Sequence, residues 1–159
     1  MKVLMVCLGN ICRSPLAEGI LQHKADEQNL GWEIDSAGTG SWHTGEAPHR
    51  LSQKIARNHG IDISHLRARQ FRKEDMLNFD KVYVMDNENY NDVRRMSGNL
   101  FDENKVDLIL NVLHPNRNEE VPDPWYVNTD AAFEEVFQML DEAGEAIIKN
   151  NQSTIFDNQ

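Results

Sequence analysis

The chain has 159 residues, 40% of them apolar and 26% charged. That is the length of one domain with its own core, and a composition unlike that of a disordered chain. The 16 Lys plus Arg against 26 Asp plus Glu give a net charge of -10, which favours solubility and disfavours nonspecific binding to nucleic acid or to an anionic membrane.

No apolar run approaches the roughly 20 residues a bilayer crossing needs. Residues 3–6, Val-Leu-Met-Val, are short, continuous and bounded by Gly9-Asn10, the pattern of a strand buried on both faces. The stretch is too short, and too soon interrupted by Arg13, to read as a secretory leader. Ser14-Pro15 opens a helix, Ser as N-cap and Pro as first helical residue. Leu16, Ile20, Leu21 and Ala25 carry its buried stripe to about residue 28. A second strand is expected at 32–36 and a loop at 38–45. Residues 48–59 read as helix, with Leu51, Ile55 and Ala56 inward and Gly60 as the stop. A helical turn at 73–77 leads to a strand at 81–85. Residues 87–97 read as helix, 106–113 as the fourth strand and 115–127 as loop. The last helix runs from about 130 to 150, with Phe133, Val136, Phe137, Leu140, Gly144, Ile147 and Ile148 on one face. Residues 151–159 read as a polar tail. Strands alternating with helices predict an α/β fold: a single domain over 1–159, in three layers, with a four-stranded parallel sheet and helices on both faces. Ligands in such sheets bind beyond the carboxyl ends of the strands, which points at the segment directly after Val6.

That segment is Cys7-Leu8-Gly9-Asn10-Ile11-Cys12-Arg13-Ser14-Pro15. A helix start leaves backbone N–H groups unpaired at the positive end of the helix dipole. A loop curling onto it aims further N–H groups inward and forms an anion cradle. Gly9 permits the backbone angles this needs, and Asn10 tolerates left-handed geometry. Arg13 supplies a planar fork for two phosphate oxygens, which Lys cannot. Cys7 then lies on the cradle floor, where helix N-termini and cations favour a thiolate nucleophile at neutral pH. The net charge does not oppose this, because carboxylates beyond about 8 Å are largely screened. Two cysteines five positions apart cannot staple a fold, so a reduced, cytoplasmic setting is expected.

The run from Cys7 to Pro15 resembles the phosphate loop of the low-molecular-weight protein tyrosine phosphatases. The likeness extends along nearly the whole chain, through Asp35-Ser36-Ala37-Gly38-Thr39, Asn58-His59-Gly60-Ile61, Ala68-Arg69-Gln70, Phe79-Asp80, Val84-Met85-Asp86 and Asp123-Pro124-Trp125-Tyr126. It implies hydrolysis of phosphotyrosine and small aryl phosphates through a phosphocysteine. Cys7 is the nucleophile it implies, Arg13 the anion fork and Asp123 the general acid. Leu8, Gly9, Asn10, Ile11, Cys12, Arg13 and Ser14 bind phosphate. A leaving phenolate of pKa about 10 profits from protonation, and Pro122 and Pro124 hold the Asp123 loop stiff. Read alone, Asp-Pro is an ordinary turn.

By the same resemblance, Ser14 donates to the thiolate, and Asn10, Ser36 and His65 form the network that shapes the loop. For His65, a solvent-exposed loop histidine is the equal alternative. Asp86 is expected to pair with Arg13. Ile11, Trp42, Trp125 and Tyr126 form the substrate cleft, though loop aromatics also pack beneath their own loops. An apolar Ile11, where phosphoarginine-preferring members carry Thr, suits an aryl ring. Cys12 is the redox partner of Cys7, or else a small buried residue. The remaining histidines and carboxylates lack metal-ligand spacing, so no metal and no organic cofactor is expected. The expected partners are a phosphotyrosyl protein and inorganic phosphate as product or inhibitor, with the chain a monomer or weak homodimer. A thiol-dependent arsenate reductase shares this loop but passes a disulfide to later cysteines, and none comes after Cys12. A phosphate-binding module would keep Arg13 and the cradle but have no need for Cys7 and Asp123 together.

Overall fold

A computed structural model describes residues 1–156, with side chains through Gln152. Four strands, β1 (Lys2–Cys7), β2 (Glu33–Gly38), β3 (Lys81–Val84) and β4 (Val106–Leu108), pair in the order β2-β1-β3-β4. Every pairing is parallel. β1 is therefore central, and the chain leaves it first to one side and then to the other. Its carboxyl end is the switch point where open α/β sheets bind ligands.

Alternation along β1 divides the core in two. Val3, Met5 and Cys7 point to a face shared with Leu16, Ile20, Ile55, Phe133, Phe137, Leu140 and Ile147. These come from α1 (Arg13–Glu27), α2 (Arg50–Asn58) and α5 (Asp130–Phe156). Leu4 and Val6 point the other way, onto Phe71, Met76, Phe79 and Val93, around α3 (Asp75–Asn78) and α4 (Asn87–Ser97). The result is the three-layer arrangement expected of continuously apolar parallel strands. Because Cys7 is an odd-numbered member of β1, its side chain belongs to the α1 face.

Several boundaries differ from the expected ones; β2, for one, runs two residues further, to Gly38. The fourth strand ends at Leu108, and residues Ile109–Val112 form a 3-10 turn. Asp107 takes hydrogen bonds from Leu108 N and Asn111 Nδ2, and Asn111 joins Asn118, which closes the turn. Ile109 and Leu110 are buried all the same, and an apolar run does not distinguish strand from buried turn. Helix α1 starts at Arg13 with Cys12 as its N-cap residue, and no side chain caps it. Ser14 is thus inside the helix, its hydroxyl directed to other partners, and Pro15 sits where the first turn lacks N–H acceptors in any case. The last helix passes residue 150 and runs to Phe156, so the expected polar tail is helical over 151–156, and 157–159 lie outside the described residues.

Candidate active site

The loop after β1 is held from outside. Its carbonyls are engaged by surrounding donors: Cys7 O by Thr39 N (2.9 Å), Leu8 O by Gly40 N (2.8 Å), Ile11 O by His49 N (2.7 Å) and Cys12 O by Ser52 Oγ (3.1 Å). Among the described residues, the N–H groups of Gly9, Asn10, Ile11 and Cys12 donate to no protein acceptor. Carbonyls turned out and amides left free is the electrostatic arrangement of an anion cradle. Asn10 adopts φ 58°, the left-handed conformation that asparagine tolerates. Gly38 backs the loop so closely that a Cβ there would lie 2.8 Å from Leu8 O and 3.1 Å from Asn10 N.

Behind the loop runs a buried polar chain. Ser14 Oγ is 3.0 Å from Cys7 Sγ. Asn10 Nδ2 donates to Ser14 Oγ (2.8 Å) and to Ser36 Oγ (2.9 Å). Its Oδ1 accepts from Arg69 N (3.0 Å), so its donors and acceptor are all engaged. Because Ser14 Oγ accepts from Asn10, its own proton is free to point at the sulfur. Ser36 in turn donates to Glu18 Oε1 at 2.6 Å, a short bond typical of a carboxylate acceptor. Burial pushes the Glu18 carboxyl up to about 7, against the Ser36 hydrogen bond.

Arg13 is almost wholly buried. Its Nη1 donates to Asp86 Oδ2 (2.7 Å) and Val121 O (2.9 Å), and its Nη2 lies 3.9 Å from Asp123 Oδ2. Burial works against its charge, but Cys7, Asp86 and Asp123 outweigh it and raise the pKa. Asp86 also caps α4 through Asn89 N, which fixes the carboxylate that orients the guanidinium. The Asp123 loop is anchored by Val121 N on Met85 O (2.9 Å) and turned by Trp125 N on Asp123 Oδ1 (3.1 Å). Burial, Cys7 and Asp123 push the Cys12 thiol well above the ordinary thiol range, so it stays protonated. Both cysteines are buried and free.

A cleft of about 270 Å³ brings together Cys7, Cys12, Arg13 and Asp123 beneath Ile11, Trp42, His43, Trp125 and Tyr126. A larger cavity of about 570 Å³ lies elsewhere, at the β3–β4 edge, lined by Lys81, Tyr83 and Asp107. A thiol, a buried guanidinium and a carboxyl on one small cleft can support nucleophilic displacement at phosphorus with proton delivery to the leaving group.

Residues 2–154 match the model of the low molecular weight phosphotyrosine protein phosphatase family. The low molecular weight protein-tyrosine-phosphatase YfkJ of Bacillus subtilis is 39% identical over 153 residues, 95% of this chain and 96% of that protein. Its crystal structure superposes with TM-score 0.88 over 97% of this chain and 96% of that one. The human low molecular weight phosphotyrosine protein phosphatase is 40% identical over 140 residues, 86% of this chain and 87% of that one. The crystal structure of an arginine phosphatase from Drosophila, 31% identical, gives TM-score 0.88 over 95% of this chain and 98% of that one.

The chain belongs to the low molecular weight phosphotyrosine protein phosphatase family.

In this phosphatase the loop residues Leu8 to Ser14 and the pair Arg13–Asp86 lie together as the sequence implied. Trp42, Trp125 and Tyr126 are exposed at the cleft mouth rather than packed under their loops. Of the two places open to His65, it takes the solvent-exposed one. It makes no hydrogen bond to the loop, because Ile63 and Leu66 take the inward positions on either side of it. Glu18 completes the network instead. Its signal in the sequence was a carboxylate four residues after Ser14, on the same side of a helix otherwise apolar there. His43 and His49, beside Trp125, carried no such signal.

Proposed function

We propose that this phosphatase hydrolyses phosphotyrosine and small aryl phosphates through a covalent phosphocysteine on Cys7. Cys7 attacks phosphorus, forming the S–P bond as the P–O bond to the phenol breaks. Arg13 and the loop amides hold the phosphoryl oxygens, and Ser14 donates to the sulfur. Asp123 gives its proton to the leaving phenolate and then takes one from the water that cleaves the S–P bond, which releases inorganic phosphate and restores Cys7. The observation that carries this reading is the convergence of Cys7, Arg13 and Asp123 on one cleft.

Aromatic walls set the substrate. Trp42, Trp125 and Tyr126 stand above the thiol, so a phosphate must extend down from a ring to reach it. A phosphoserine is too short. Ile11 lines the same cleft and offers a guanidino group no polar partner, which favours phosphotyrosine over phosphoarginine. The physiological partner is then a phosphotyrosyl protein, and inorganic phosphate competes for the cradle. We place the enzyme in the reducing cytoplasm as a monomer or weak homodimer, consistent with two free thiols. Peroxide would convert Cys7 to a sulfenic acid, whose hydroxyl the Cys12 sulfur then displaces as water to give a disulfide that dithiothreitol reverses.

The test is hydrolysis of an aryl phosphate by the wild type, Cys7→Ser and Asp123→Asn, with and without chelator. The expected result is a wild-type rate indifferent to chelator, an inactive Cys7→Ser and a loss of about 10²–10⁴-fold in Asp123→Asn. Wild-type turnover by Cys7→Ser would refute the covalent route.

A further inference from the structure

Two imidazoles border the Trp125 ring. His43 is centred 5.7 Å from it and is tethered by Nδ1 to Glu46 at 2.6 Å. His49 meets it nearly edge-on at 5.5 Å and stacks on Phe133 at 4.8 Å, inclined 25°. His49 thereby joins four parts of the molecule. Its N–H donates to Ile11 O in the phosphate loop (2.7 Å). Its Nδ1 accepts from Leu51 N and so caps α2 (3.0 Å). One ring face rests on α5, and the ring borders the loop that carries Asp123. With Nδ1 accepting, the single ring proton is on Nε2. Burial and the charge of Arg50 favour this neutral form, outweighing Asn128, which acts the other way.

Trp125 and Asp123 are mechanically linked, because Trp125 N donates to Asp123 Oδ1 (3.1 Å). A displacement of the Trp125 backbone therefore moves the carboxyl. We infer that His49 is a positioning residue: its ring, backed by Phe133, is the spacer that sets Trp125, and through it the Asp123 carboxyl, over the phosphate loop. Cys7, Arg13 and the cradle do not depend on that ring, since the tie from residue 49 to Ile11 is a backbone hydrogen bond. This role of His49 rests on Asp123 being the general acid.

The ring and the cap are separable. His49→Asp keeps an oxygen to cap α2 and loses the ring, whereas His49→Phe keeps a ring and loses the acceptor. The readout is kcat/KM across aryl phosphates of rising leaving-group pKa, with melting temperature alongside. A working acid makes this dependence shallow, and Asp123→Asn should make it steep. His49→Asp should lose roughly 2- to 10-fold with phenyl phosphate, the worth of one aromatic contact. With 2,4-dinitrophenyl phosphate, which needs no proton, it should change little. His49→Phe should melt lower yet keep the shallow dependence. His49→Asn repeats the ringless test with a second capping residue should His49→Asp fold poorly. A shallow dependence in the ringless variants beside a steep one in Asp123→Asn overturns the role of His49. So does a steep one in His49→Phe alone. A shallow dependence in Asp123→Asn itself overturns the acid assignment instead.

Discussion

At the scale of single residues, the site is a set of groups each held by a partner of fixed polarity. Asn10 donates twice and accepts once, which leaves Ser14 one proton to give, and the nearest acceptor for it is Cys7 Sγ. Arg13 is held in one orientation by Asp86 and Val121, with the rest of its planar fork available to phosphate. Lysine in its place would keep the charge and lose the fork. Arg13→Lys should therefore lower kcat/KM by about 10²–10³-fold and weaken inhibition by inorganic phosphate, both measured in the same steady-state assay. A near-wild-type value would show that only charge is needed. At this scale the sequence was most legible where spacing alone places a side chain. Cys7 and Arg13 are placed by strand, turn and helix start in immediate succession, whereas Ser14, read there as the N-cap, lies inside α1 behind Cys12. His65 stays open between the loop network and solvent in the sequence because a loop position gives no periodicity to say which way it faces, and buried Ile63 with part-buried Leu66 on the inward side decides the matter.

At the scale of elements, β2 and α1 support the loop from behind. β2 ends in Gly38, where any Cβ would press on the loop backbone. Gly38→Ala should therefore cost about 1–3 kcal/mol of stability and weaken phosphate inhibition, checked by denaturant melts and by competition. Unchanged phosphate affinity would show that the loop is not seated against β2. From α1 comes Glu18, a buried acid with its carboxyl raised by burial to about 7. In the unfolded chain it titrates near the ordinary glutamate value. Between about pH 4.5 and 7 the folded state therefore holds more protons than the unfolded one, and stability falls as pH rises through that window. The change amounts to roughly 3 kcal/mol. Glu18→Gln should flatten the stability–pH curve over this window while still accepting from Ser36, and an unaltered slope would contradict the assignment. Elements were legible where a period or a cap marked them. Residues 87–97 form α4 as expected, capped by Asp86. β4 was overextended because the buried 3-10 turn after it is as apolar as a strand, and the Asp107–Asn111–Asn118 ties that make it a turn leave no mark in the apolar pattern.

At the scale of the whole molecule, strand order decides where chemistry can occur. The chain leaves central β1 in both directions, opening a crevice at its carboxyl end, and the alternation of β1 side chains gives Cys7 its inward face. The parallel sheet and its helical layers were legible from alternating apolar runs. The gathering of Trp42, Asp123 and Trp125 at that crevice followed only from the family resemblance, and the places of His43 in its wall and of His49 against Trp125 were not legible, because loops from separate parts of the chain meet there only after the sheet is assembled. A surface of net charge -10 surrounds this cradle without cancelling it, since screening confines distant carboxylates to weak effects. The central claim is that phosphate passes through the sulfur of Cys7. It is tested most directly by quenching the enzyme in denaturant during turnover of a 32P-labelled aryl phosphate and locating the label by peptide mapping. The account predicts one phosphoryl group per active chain, bonded to sulfur in the peptide that contains Cys7 and absent from Cys7→Ser. Label on any other residue, or undiminished turnover with no labelled cysteine, would contradict it.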